Sequence, residues 1–220
     1  SYPSTSSPSA VSLSDISLGY SSAAQSANSA TNKMAITKTT LNSSDTEKSL
    51  LQIVGVEDTN YSNPTGGNGN LTYSYDQDFT VNKSGSRGIS IGSSRGTYYS
   101  TSSSVGDPND ALVAISSGDI LVNANSSSGV AMGVGASSNT RNDSIFVNRG
   151  KITLGENTSG SSAVYMKYSY TVNNFINNGE ITINGSENSG MYASQADMSG
   201  VKVGLQNTGT ITLNGSNKLR

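Results

Sequence analysis

Gly150-Lys151-Ile152-Thr153-Leu154, Gly179-Glu180-Ile181-Thr182-Ile183 and Gly209-Thr210-Ile211-Thr212-Leu213 are three copies of one short phrase. Gly118-Asp119-Ile120-Leu121-Val122 is a fourth, and Gly88-Ile89-Ser90-Ile91 reads as the first of the series. The five glycines are spaced 30, 32, 29 and 30 residues apart. A fixed period in that range signals stacked repeats. Within the phrase the aliphatics alternate with period two, which places them on one face of a strand and the Ser, Leu or Thr between them on the other. β-Branched residues dominate, as strands prefer. So short a strand buries too little to stand alone. Laid over the same phrase of the next repeat, it builds a ladder of Ile on Ile.

Each repeat carries two further apolar runs. Upstream of the glycine lie Leu112-Val113-Ala114-Ile115, Ile145-Phe146-Val147, Phe175-Ile176 and Val201 to Leu205. Downstream, after a Ser/Asn/Gly turn, lie Gly129-Val130-Ala131-Met132, Ser162-Ala163-Val164-Tyr165, Gly190-Met191-Tyr192-Ala193 and, more weakly, Gly96-Thr97-Tyr98-Tyr99. One repeat is thus about thirty residues with three short strands, one rung of a parallel β-helix. Asn148, Asn177 and Asn207 each precede the phrase glycine by two residues. Asn and Gly both tolerate positive φ at a corner, and a column of Asn can bond its amides from rung to rung. The expected fold is all-β: a parallel β-helix of about five rungs.

Composition agrees. Only 13% of the 220 residues are charged, against roughly 25% in an average soluble protein. Ser, Asn, Thr and Gly suit tight turns and flat strands and do not suit a helical bundle. The net charge of −2 and the absence of a basic cluster argue against nucleic acid as a partner. No apolar run is long enough to insert into a membrane as a helix. Without Cys there is neither a disulfide nor a thiolate metal site.

Along the chain, residues 1–11 read as a flexible leader. Residues 12–87 read as an N-terminal cap, because terminal repeats are atypical where they shield the core. Within it Leu13, Ile16, Tyr20, Ala23, Ala27, Ala30 and Met34 form a stripe spaced alternately by three and four, which predicts a helix over 12–35. Ala35 onward and Leu50 to Val54 read as cap or first-rung strands, and residues 59–70 as a loop on turn chemistry. Residues 88–220 carry the repeats. The last breaks off after Leu213-Asn214-Gly215 without its third run. The expectation is an N-terminal piece of a longer repeat protein.

Candidates for chemistry are few. A nucleophilic triad needs a base, and His is absent. Gly66-Gly67-Asn68-Gly69-Asn70 lacks the Asp and the second copy of a calcium-binding repeat, and Asp107-Pro108-Asn109-Asp110 reads as an Asx-Pro turn. No cofactor or metal is expected. Asp119, Lys151 and Glu180 occupy one repeat position on three successive rungs, which reads as a surface charge ladder rather than a catalytic dyad. Tyrosine stands out among aromatics, with 11 Tyr against 3 Phe. Tyr165, Tyr168 and Tyr170 cluster around Lys167, and Tyr98 and Tyr192 fall in the same third-strand column as Tyr165. Exposed Tyr is a frequent contact for partners, so these six residues are the candidate binding set.

Asn177-Asn178-Gly179-Glu180-Ile181-Thr182-Ile183-Asn184-Gly185, Asn188-Ser189-Gly190-Met191-Tyr192-Ala193 and Asn207 to Gly215 resemble the repeats of large Gram-negative autotransporter passengers, above all the long fusobacterial outer-membrane adhesins. The resemblance spans about residues 88–215. It implies a right-handed parallel β-helix, export through a C-terminal β-barrel, display at the cell surface, and adhesion to a host or bacterial surface protein or glycan. It carries over no catalytic residue. The resulting expectation is a non-enzymatic, monomeric adhesin passenger whose cap and solenoid form this chain. Two other readings stay open here: a piece of an enzymatic or toxin passenger, and a trimeric polysaccharide-binding β-helix.

Overall fold

The computed structural model describes residues 34–38, 48–55, 71–91, 111–133, 143–167, 172–194 and 202–215. All regular structure among them is strand. β1 (Met34–Lys38) and β2 (Ser49–Gly55) come first. A first complete turn follows as β3 (Leu71–Tyr75), β4 (Phe79–Val81) and β5 (Arg87–Ile91). The second is β6 (Ala111–Ser116), β7 (Ile120–Val122) and β8 (Ser128–Met132). The third is β9 (Asp143–Asn148), β10 (Lys151–Leu154) and β11 (Ser162–Lys167). The fourth is β12 (Val172–Asn177), β13 (Glu180–Ile183) and β14 (Ser189–Ser194). β15 (Lys202–Asn207) and β16 (Thr210–Leu213) begin a fifth.

Each turn gives one strand to each of three sheets. Sheet I is β3-β6-β9-β12-β15, and sheet II is β4-β7-β10-β13-β16. Sheet III runs β2-β5-β8-β11-β14 in parallel, with β1 added antiparallel at its β2 edge. Three parallel sheets of five strands, visited in rotation, make a parallel β-solenoid. Reversal at β1 closes the edge of sheet III against further parallel pairing.

Register explains the repeated phrase. Ile120 lies opposite Ile152, Ile152 opposite Ile181, and Ile181 opposite Ile211. Ile120, Ile152 and Ile181 are fully buried, each worth about 1.5–3 kcal/mol of apolar burial. Phe146 and Phe175 stack in sheet I with centroids 5.6 Å apart and planes 3° from parallel. These columns share one core with Val130, Val164 and Met166 of sheet III. Sheet I also buries its outer face, where Val113, Ile115, Ile145, Val147 and Ile176 form a separate cluster. That double burial accounts for its continuous apolar runs.

Three expectations are corrected. First, Gly88-Ile89-Ser90-Ile91 does not head the Ile column. It lies in β5, where Ile89 pairs with Val130 and Ile91 with Met132. The column begins instead at Phe79-Thr80-Val81, which pairs with Ile120-Leu121-Val122. Cross-rung partners between the first and second turns are 41 residues apart, as for Asp78 and Asp119. Two strands of a rung carry the same Gly-plus-alternation pattern, so a 30-residue spacing matched the wrong one. Stacking therefore begins before residue 88, with residues 71–91 as a full turn.

Second, the helical stripe predicted over 12–35 ends at Met34, which opens β1. The rest of the stripe, like the leader 1–11 and the loop 59–70, lies outside the described residues.

Third, the phrase glycines are not there for positive φ; that conformation is found at Gly85, Gly133, Gly160 and Gly185 instead. At Gly150, Gly179 and Gly209 the obstacle is the previous rung. A Cβ would run into the carbonyl oxygen of Gly118, Gly150 and Gly179 respectively, far inside the 3.0 Å that real Cβ atoms respect. Only a residue without a Cβ lets the corners stack.

The asparagine column does bond from rung to rung. Asn148 Nδ2 donates to Asn177 Oδ1 at 2.9 Å, and Asn177 Nδ2 to Asn207 Oδ1 at 2.8 Å. Asn148 and Asn177 are fully buried.

Candidate functional site

The corner leading from sheet II into sheet III turns through a left-handed residue on every complete rung: Gly85 (φ 74°), Ser126 (51°), Gly160 (66°) and Glu187 (54°). Two of the four are not glycine and carry about 1–2 kcal/mol of backbone strain each. Just beyond them a second polar ladder holds the corner. Ser86 N–H donates to Ser127 Oγ at 3.3 Å, Ser127 N–H to Ser161 Oγ at 3.1 Å, and Ser161 N–H to Asn188 Oδ1 at 2.8 Å. The side chains donate in turn to earlier carbonyls: Ser127 Oγ to Lys83 O at 3.0 Å and Ser161 Oγ to Ala124 O at 2.7 Å. The corner is thereby fixed by buried bonds.

One residue further on, Arg87, Ser128, Ser162 and Ser189 lie in register on successive strands. Among the described residues the hydroxyls of Ser128, Ser162 and Ser189 make no hydrogen bond within the protein. Three positions further still, Ser90, Ala131, Tyr165 and Tyr192 form another column. Tyr165 and Tyr192 stack at 5.8 Å with planes 9° apart, and Tyr192 is 54% exposed. The serine and tyrosine columns border one open groove of 1070 Å³ that crosses four turns, with Arg87 at one end and Glu187 at the other. Among the described residues those are the charged ones that line it.

The expected binding set is brought together only in part. Tyr165 and Tyr192 are neighbours in the groove wall. Lys167 ends β11 opposite Ser194. Tyr98, Tyr168 and Tyr170 lie outside the described residues. The place in the tyrosine column that was expected for Tyr98 belongs on the first turn to Ser90, a consequence of the same misread phase. The serine columns were missed. Their signal is a polar pair directly before each third run: Ser86-Arg87, Ser127-Ser128, Ser161-Ser162 and Asn188-Ser189.

The expected charge ladder is present in part. Lys151 Nζ lies 3.5 Å from Glu180 Oε2, with both side chains more than half exposed, so the pair adds little to stability. Asp119 turns instead to the backbone: its Oδ1 accepts Lys151 N–H at 3.0 Å, as Asp78 Oδ1 accepts Asp119 N–H at 2.7 Å. Among the described residues no three His, Cys, Asp or Glu side chains gather into a metal site.

One more buried polar group lies outside the groove. Among the described residues the hydroxyl of Tyr75 is buried with no hydrogen-bond partner, and so is that of Ser116, its neighbour on the next rung. Burial pushes the Tyr75 phenol well above its usual value, and the nearby Ser116 eases the shift slightly.

Compared with protein-family models, curated proteins and solved structures, the chain finds no match in any of the three.

Proposed function

We propose that this chain is a non-enzymatic adhesin segment: a rigid solenoid carried outside the cell that presents a binding groove to a host or bacterial surface. The observation that carries the reading is the groove itself. It gathers residues from four successive turns into one cleft of 1070 Å³, on a corner locked by its own hydrogen bonds. Such a surface is preorganised, so binding orders little of the protein. The phrases at 177–185, 188–193 and 207–215, similar to those of autotransporter passengers, support export and display. In that setting the connections between sheets are right-handed, as parallel strand crossovers nearly always are, and the chain acts as a monomer.

Labelled protein titrated onto epithelial cells and onto other bacteria tests the reading. Saturable binding that unlabelled protein displaces is expected. Signal that stays linear with dose on every surface would end the adhesin reading. Sedimentation velocity at the chain mass of 22.6 kDa tests the monomer; a threefold mass would favour a trimeric tailspike-like assembly.

A further inference from the structure

We propose that the groove takes a linear, uncharged polysaccharide lying along the solenoid axis; this inference rests on the adhesin reading above and names its ligand class.

Direction comes first. The groove crosses the strands, and equivalent residues repeat along it once per rung, at the roughly 4.8 Å spacing of adjacent strands. An extended glycan advances by nearly that distance per pyranose unit, so each sugar meets the same surroundings as the one before. An extended peptide would seek a strand edge to bond. No such edge borders the groove's length, because backbone groups there are bonded to the neighbouring turns, as Ser128 N–H is to Ser86 O and Ser162 N–H to Ser127 O.

Chemistry comes second. Ser128, Ser162 and Ser189 offer a file of hydroxyls that no described residue engages, each able to donate and accept as sugar hydroxyls do. Tyr165 and Tyr192 supply an aromatic wall with polar tips, suited to a ligand that is apolar on its C–H faces and polar at its rim. Among the described lining residues the charges are Arg87 and Glu187, opposite in sign and at opposite ends, and they cancel. That disfavours polyanions such as nucleic acid, which require clustered cations.

Native gels cast with galactomannan, with mixed-linkage β-glucan or with alginate test this directly, run beside the cell-binding assay. Retardation in at least one of the neutral polysaccharides is expected, and none in alginate beyond the shift of an inert control protein. Ser162→Val replaces a groove hydroxyl with methyls at a buried position that lines the groove, and Tyr192→Ala removes the exposed wall; neither side chain belongs to the hydrophobic core cluster. Each is expected to weaken retardation about tenfold with an unchanged circular dichroism spectrum. Ala131 already holds the Tyr192 position on an earlier turn, so Tyr192→Ala keeps the fold. Failure in both neutral gels, equal retardation of the variants, or retardation in alginate alone would each overturn the proposal. Cell binding that persists in full after periodate oxidation of surface glycans would also overturn it while leaving the adhesin reading intact. Loss of all cell binding alongside retardation in a neutral gel would instead sink the adhesin reading and keep the ligand.

Discussion

Replacing Gly179 by alanine is the sharpest perturbation of the stack. The new Cβ would meet the Gly150 carbonyl oxygen on the previous rung at an impossible distance. It would also sit 2.8 Å from the Arg149 carbonyl carbon and 3.0 Å from the Arg149 oxygen. None of these is the flexible end of a side chain. Reaching ordinary contact, which begins at 3.4 Å, means moving the corner by about 1 Å or more. Three cross-rung bonds lie within one residue of the site: Asn178 N–H to Asn148 O at 2.8 Å, Gly179 N–H to the same oxygen at 2.9 Å, and Glu180 N–H to Gly150 O at 3.0 Å. A shift of that size breaks or badly strains all three. At about 1 kcal/mol net per bond the cost is about 3 kcal/mol, less the few tenths regained by restricting the unfolded chain. Gly190→Ala is the matched control on the same turn. Its Cβ would meet only Ile183 Cδ1 at 3.2 Å, and Ala163 fills the equivalent place on β11. It is expected to be neutral or stabilising by up to about 1 kcal/mol. Urea unfolding followed by far-ultraviolet circular dichroism gives both values. Equal midpoints for the two variants would refute the close-approach account of the glycine column.

Three further outcomes follow from the same geometry. Ser126→Gly and Glu187→Gly relieve left-handed backbone at φ 51° and 54° and should each stabilise by about 0.5–1 kcal/mol; a loss of stability in urea would contradict this. Asn177→Ala removes a buried amide bonded to both neighbouring rungs and should cost about 2–4 kcal/mol, whereas Asn207→Ala, at an exposed position, should cost less than half as much in the same titration. Tyr75→Phe deletes a buried hydroxyl without a partner and should be neutral or stabilising by about 1 kcal/mol. Because the folded phenol titrates above the unfolded one, its contribution is flat below the unfolded value of about 10 and is lost as pH rises above it. The variant should therefore lose less stability than the parent between neutral and strongly alkaline pH, and identical slopes would count against a buried Tyr75 hydroxyl.

Much of the solenoid is legible in the sequence because its signal repeats. Ile120, Ile152, Ile181 and Ile211 fall in one column as their spacing implies, and Asn148, Asn177 and Asn207 form the expected ladder. Phase was harder to read than period. Gly88-Ile89 and Gly118 to Val122 look alike although they belong to different sheets, since any strand buried on one face alternates in the same way. The groove was half visible. Tyr165 and Tyr192 were found by enrichment, but Ser128, Ser162 and Ser189 read as ordinary turn residues. What marks them is position, two residues past a left-handed corner, and Ser126 and Glu187 at that corner are residue types that give no hint of positive φ.

The asparagine column also has a polarity. Asn148 gives its N–H to Asn177 on the turn that follows, and Asn177 gives its own to Asn207, so the side-chain dipoles point the same way and reinforce one another. A finished turn thus presents a prearranged donor to the next, much as a crystal face presents sites to arriving molecules. With contacts confined to adjacent turns, such a stack can lengthen unidirectionally, one coil at a time, without waiting for distant parts of the chain.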